Sequence, residues 1–238
     1  MQNPFLSAEW RNLLMINFQA DPAVLQRYLP YRTELDTWND THYVSLVGFM
    51  FKNTRVRGLS IPFHRHFEEV NLRFYVRYKA GNEWKRGVVF IKELVPKYAI
   101  TFVANTIYKE KYATHPMRHR WEITAEEMDV SYEWKVGRHW NHLTAKVDKA
   151  PQAIAADSEA AFITDHYWGY THMGVDKTGE YQVTHPQWRI HRMIGYSYHV
   201  DTAALYGEAF VPTLSQQPIS ALLAEGSAIT VLPKRILS

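Results

Sequence analysis

Residues 67–78 run Phe-Glu-Glu-Val-Asn-Leu-Arg-Phe-Tyr-Val-Arg-Tyr. Side chains along a strand alternate between two faces. Val70, Leu72, Phe74, Val76 and Tyr78 therefore share one face, and Glu69, Asn71, Arg73, Tyr75 and Arg77 share the other. The first face is apolar; the second carries a carboxyl, a carboxamide, two guanidiniums and a phenol. An antiparallel sheet with one wet face accounts for that division. So does a sheet that curves, whose polar face then lines a cavity and converges on one small ligand. In that second arrangement Arg73 grips an anion, Asn71 orients it, and a buried Glu69 works as acid or base.

The flanking segments extend the sheet. Gly87 to Val95 is a hairpin partner across the turn Ala80-Gly81-Asn82. Leu13 to Phe18 and Thr41 to Phe51 have strand composition. Val130 to Val136 and His139 to Val147 form another hairpin around Gly137, and residues 165–173 and 180–200 are further strands interrupted at Gly174 to Gly179. Helices are few and short. Asp21-Pro22 pairs an N-cap with a proline at the first helical position, for a helix ending near Tyr28 before Pro30. Pro96 opens a second, with Ala99, Phe102, Val103 and Thr106 at helical spacing. Asp157 caps a third that runs through Ala160 and Phe162. The expected fold class is α+β, with a large, curved, mainly antiparallel β-sheet forming a cone or partial barrel around a cavity, in one domain over residues 1–238.

Composition narrows the chemistry. The chain has 238 residues, with 8 Trp, 15 Tyr, 11 Phe, 12 His and no Cys. Thiol nucleophiles, disulfides and zinc–thiolate sites are excluded. The net charge of +3 is too small to mark a nucleic-acid binder. It is unevenly spread: residues 52–97 hold 11 basic and 4 acidic residues, and residues 148–238 hold 6 and 9. The basic strands are either solvated faces, an anion site or an interaction surface. The longest uncharged run, Ala209 to Ala224, contains Pro212 and Pro218 and is no membrane span. Met1-Gln2-Asn3-Pro4 lacks the pattern of a signal peptide, so a cytoplasmic location is expected.

Three further motifs bear on function. Tyr108-Lys109-Glu110-Lys111-Tyr112 offers lysines that, if desolvated, form Schiff bases; lysines at a helix end also complement the helix dipole. His64-Arg65-His66, His115-x3-His119 and His139-x2-His142 do not assemble a metal motif. Neither metal nor cofactor is expected. Thr184-His185-Pro186-Gln187-Trp188 is a rigid turn packed by an indole, from which His185 either stabilises the turn or faces the pocket.

These residues bear a resemblance. Trp10-x-Asn12-Leu13-Leu14, Tyr28-Leu29-Pro30, Leu35-Asp36-Thr37, Val44 to Phe49, Phe67 to Val76, Gly87 to Phe90, Tyr112 to Met117, Thr164-Asp165-His166-Tyr167 and His185 to Trp188 resemble the YqjF-like family of uncharacterised bacterial proteins. That family is grouped with acetoacetate decarboxylase-like proteins, which implies a curved antiparallel sheet around a central cavity. In the decarboxylase a lysine forms a Schiff base with a keto acid. The resemblance puts its pocket glutamate on Glu69 and its Tyr-Pro-Lys-Lys motif on Glu110-Lys111-Tyr112-Ala113. The reacting lysine thus falls on Tyr112, and Lys111, one position earlier on a strand, points the other way. Function does not follow the fold when the reacting group is missing.

The expected site has Glu69 and Tyr112 as catalytic groups and Asn71, Arg73, Tyr75, Lys111 and His185 around a small, anionic ligand. The alternatives are a decarboxylase-like lyase using Lys111 or Lys109, and a non-enzymatic module presenting a basic sheet face. A homo-oligomer is compatible with each; nucleic-acid and membrane partners are not expected.

Overall fold

A computed structural model describes residues 3–238; Met1 and Gln2, half of the segment used above to exclude a signal peptide, lie outside the described residues. Fourteen strands are found among them: β1 (Leu6–Gln19), β2 (Thr33–Leu35), β3 (Tyr43–Val56), β4 (Phe67–Ala80), β5 (Glu83–Val95), β6 (Tyr112–Thr114), β7 (Met117–Ile123), β8 (Glu127–Val136), β9 (His139–Ala153), β10 (Trp168–Gly174), β11 (Lys177–Thr184), β12 (Arg189–His199), β13 (Ser220–Val231) and β14 (Arg235–Leu237). The helices are α1 (Pro22–Leu25), α2 (Tyr98–Val103), α3 (Glu159–Thr164), α4 (Thr202–Tyr206) and α5 (Val211–Ser215). None is long and apolar enough to cross a membrane.

The strands make one sheet in the order β14-β11-β10-β5-β4-β3-β1-β13-β12-β9-β8-β7. It curls back on itself, because Val183 and Thr184 of β11 also pair with Val231 and Thr230 of β13. Strands β11, β10, β5, β4, β3, β1 and β13 therefore form a closed ring. Pairing is antiparallel except for β10 with β5 and β6 with β5. Closure leaves an inside and an outside, so no face of the ring has to stay wet.

β4 shows the consequence. Val70, Leu72, Phe74 and Val76 are fully buried on the outside, against Tyr132, Trp134, Leu143 and Val147 from β8 and β9, which fold over the ring. Gly48 of β3 permits that close approach: a Cβ there would lie 2.9 Å from the Tyr132 ring. The opposite residues, Glu69, Asn71, Arg73 and Tyr75, are buried too, on the inside. Of the two arrangements that alternation left open, these four residues take the enclosed one.

Local signals were realised with small shifts. Asp21 Oδ1 accepts from Ala23 N at 2.8 Å and caps α1, with Pro22 in the first turn. α3 is capped by Ser158, whose Oγ accepts from Ala161 N, and not by Asp157, which takes a left-handed φ of 54°. α2 begins at Tyr98, not at Pro96, and runs on as a wider turn through Tyr108. Its expected apolar stripe is not packed in the core: Ala99, Phe102, Val103 and Thr106 are all exposed, Phe102 to 59%, although Ala99 and Val103 line the cavity described below.

Candidate functional site

The inside of the ring holds a cavity of about 250 Å³. Its walls are largely apolar, with the aromatic rings of Trp10 from β1, Phe49 and Phe51 from β3, Phe90 from β5 and Trp188 ahead of β12 among them. At its mouth stand α2 and the loop that bears Ile61 and His64. Its polar lining includes Glu69, Asn71, Arg73, Glu93, Glu110, Tyr112, His166 and His185.

Glu69, Asn71 and Arg73 arrive by simple alternation along β4. Glu93 arrives by a register shift. Arg73 pairs with Phe90, but Leu72 pairs with Lys92, so Ile91 is extra. Such a bulge inverts the faces of the residues beyond it. Val88 and Phe90 face inward before it, and Glu93 does after it. Tyr112 is fixed by Asn105, whose carboxamide donates to the Tyr112 carbonyl at 2.9 Å and accepts from its N–H at 2.8 Å.

The carboxyl of Glu69 accepts from Asn71 Nδ2 at 3.0 Å and from the Tyr112 hydroxyl at 3.1 Å. Burial pushes its pKa up to about 7, against the hydrogen bonds of Asn71 and Tyr112, with the nearby Glu110 adding to the rise. Burial likewise raises Glu93 well above the ordinary carboxyl range, helped by Glu69 and Glu110. Burial also raises the Tyr112 phenol, which stays neutral. Glu110 is held by Lys234 Nζ at 3.0 Å and by the Thr171 hydroxyl.

Arg73 is buried without a carboxylate partner. Its Nη2 donates to the Ile163 carbonyl at 3.3 Å and approaches Met15 Sδ at 3.6 Å; its Nε has no partner. Among the described residues no carboxylate lies within ion-pairing distance of it. Buried polar groups are normally satisfied, so several unsatisfied ones in one place mark a site. Here Asn71 Oδ1, Arg73 Nε, Glu93 Oε2 and His166 Nδ1 are all unpartnered, and all four residues line the cavity.

Of the seven residues expected at the site, Glu69, Asn71, Arg73, Tyr112 and His185 line the cavity. His185 stacks on Trp188 with ring centroids 4.1 Å apart. Tyr75 is one layer behind; its hydroxyl shares a hydrogen bond with Ser45 and its ring packs on His166. Lys111 is turned the other way, its ammonium 5.1 Å from the centre of the Tyr28 ring, because neighbouring residues on an extended segment point to opposite sides. Lys109 is exposed. Sequence reasoning missed Glu93, Glu110 and His166 as site residues. Strict alternation from Phe90 points to Lys92 and not Glu93, Glu110 stood between two more conspicuous lysines, and His166 belonged to a motif with no assigned role.

The raised carboxyl has a measurable consequence. A group whose pKa is higher folded than unfolded stabilises the fold fully below its unfolded pKa, here 4.5, and loses that contribution as pH rises through about 7. At about 1.4 kcal/mol per unit the loss is about 3 kcal/mol. Wild type is therefore expected to melt progressively lower between pH 5 and pH 8, and Glu69→Gln to flatten that slope. Parallel slopes in a thermal-melt series across that range would show that Glu69 ionises as it does in water.

A ring-shaped sheet around a cavity is the architecture of acetoacetate decarboxylase-like proteins. The acetoacetate decarboxylase of Legionella pneumophila superimposes with a TM-score of 0.67 at 13% identity, over 99% of this chain and 87% of its own. The enduracididine biosynthesis enzyme MppR, complexed with pyruvate, superimposes with a TM-score of 0.69 at 13% identity, over 100% and 92%. An acetoacetate decarboxylase-like enzyme from Sphingomonas wittichii RW1 gives 0.66 at 12% identity, over 100% and 94%. At these identities the likeness shows the fold. The chain itself belongs to the DUF2071 family, described as an uncharacterized conserved protein, whose pattern it matches over residues 7–228. It is also 29% identical over 164 residues to the uncharacterized protein YqjF of Bacillus subtilis, a match spanning 68% of this chain and 65% of that protein.

Proposed function

We propose that the chain binds a small carboxylate with an apolar body in the ring cavity. Arg73 holds the carboxylate, Asn71 orients it, and the apolar walls cover the rest. Glu69 exchanges a proton with the ligand, and Tyr112, the other catalytic group, acts as a neutral hydrogen-bond donor beside it. The observation that carries this reading is Arg73: a buried guanidinium with no carboxylate beside it. An unpaired buried charge is costly and is relieved by an anionic partner. The nearby carboxyls are weak partners for it: among the described residues none lies within ion-pairing distance, and burial raises Glu93 well above the ordinary carboxyl range and Glu69 to about 7, so that Glu69 is only half ionised at neutral pH. A carboxyl titrating near pH 7 is suited to general acid–base work. MppR, of the same fold, is complexed with pyruvate, itself a small carboxylate.

Schiff-base chemistry through Lys109 or Lys111 has less support, since neither lines the cavity. A basic interaction face is weakened by the burial of Arg73 and by the ion pair of Arg77 with Glu34 at 3.2 Å.

A thermal-shift panel of small aliphatic and aromatic carboxylates, each beside its primary amide, tests the reading. Ligands that bind the native state raise its melting temperature. The carboxylates are expected to raise it and the amides, matched in shape but uncharged, to leave it unchanged. Equal shifts from acid and amide, or none from any acid, would overturn it.

A further inference from the structure

Behind the Arg73 wall lies a second polar assembly. Asp36, between β2 and β3, is buried, and its Oδ2 accepts from Arg86 Nε at 2.6 Å. The same oxygen lies 3.4 Å from Nε2 of His166, a residue just beyond α3 that is also buried. A carboxylate ion-paired with arginine only accepts hydrogen bonds, so Nε2 must carry the proton. That leaves Nδ1 as a bare lone pair. Nδ1 is buried and has no partner, and His166 is among the residues that line the cavity whereas Asp36 is not. The ring is held on both sides, by Tyr75 at 4.8 Å between centroids and Phe162 at 5.0 Å. Tyr75 also lies under Arg73, with the guanidinium carbon 5.6 Å from its ring centre. His166 and Arg73, both of which line the cavity, thus pack on one aromatic ring.

We propose that His166, oriented by Asp36, is a further ligand-contacting residue that accepts a hydrogen bond from a hydroxyl on the ligand, so that the class of molecule taken is a hydroxy acid with an apolar body. This inference rests on the carboxylate reading above. A hydroxyl close to the carboxylate meets Nδ1 when Arg73 holds the acid. An ammonium group would also donate, but it would sit against Arg73, and like charges repel. Burial keeps the imidazole neutral by lowering its pKa, against the pull of Asp36 and with the added push of Arg86. A site built to accept from a hydroxyl discriminates strongly against an analogue that lacks it, because the buried acceptor is then left unpaired.

Two measurements on the full chain test this. Nitrogen NMR of the ¹⁵N-labelled imidazole is expected to show His166 as the Nε2–H tautomer; an Nδ1–H tautomer or an imidazolium at neutral pH would overturn the assignment without reference to any ligand. Calorimetric titration then compares 2-hydroxy-3-phenylpropanoate with 3-phenylpropanoate. The hydroxy acid is expected to bind about tenfold more tightly to wild type. That preference should collapse in His166→Phe, which keeps the aromatic packing, and shrink in Asp36→Asn, which releases the tautomer. Equal binding of the two probes to wild type, or a preference that survives both substitutions, would overturn the His166 role while leaving the carboxylate reading standing. Failure of both probes to bind would overturn the carboxylate reading, and the ligand class with it.

Discussion

Arg73→Met is expected to abolish binding of small carboxylates and to leave the protein as stable as wild type, or more so. The two effects have one cause. In the free protein the guanidinium is buried, hydrogen-bonded only to the Ile163 carbonyl and the Met15 sulfur, with Nε unsatisfied. Replacing a buried charge by an apolar side chain of similar length removes a desolvation cost and is often neutral or stabilising. With ligand present the same group makes charge-assisted hydrogen bonds worth about 1.5–3 kcal/mol each, so affinity should fall by about 10- to 100-fold per bond lost. Urea unfolding and calorimetric titration on the same preparation separate the two. A variant that unfolds readily would make Arg73 a structural residue.

The adjacent residue should behave in the opposite way. Phe74→Ala is expected to cost about 3–5 kcal/mol of stability, the usual range for deleting a buried aromatic ring. Phe74 has no exposed surface and packs outside the ring, opposite Val44 of β3 and Val89 of β5. Its side chain never faces the cavity, so the fraction that remains folded should bind ligand as wild type does. The urea midpoint should drop at an unchanged slope. A loss below about 1 kcal/mol would mean that the outer core repacks around the gap, contrary to the close packing of interiors.

That contrast between neighbours was legible in the sequence, because alternation along residues 67–78 is a local property. So were the cap at Asp21 and the hairpin turns at Gly81 and Gly137, both of which take positive φ. Curling into a cone or partial barrel was expected, but the pairing that closes the ring was not legible. Closure depends on Val183 meeting Val231, a pairing between segments separated by β12, α4 and α5 that no local pattern encodes. β13 itself escaped notice: Ser-Ala-Leu-Leu-Ala-Glu-Gly-Ser-Ala-Ile-Thr-Val is buried irregularly and lacks clean alternation, although it joins β1, β11 and β12. The candidate site divided along the same line. Glu69, Asn71 and Arg73 share one strand and could be grouped from spacing. Glu93 needed a bulge, and Glu110 and His166 needed the closed ring to bring them in. Alternation also left open whether the polar face was wet; closure decided that by giving it an inside.

The most direct measurement is a parallel calorimetric titration of wild type and Arg73→Met with the carboxylate that gives the largest thermal shift. Saturable one-to-one binding to wild type, absent or weakened by about 10-fold or more in Arg73→Met, is the expected result. Equal affinity in the two proteins would contradict the assignment of the ring cavity as an anion site built on Arg73.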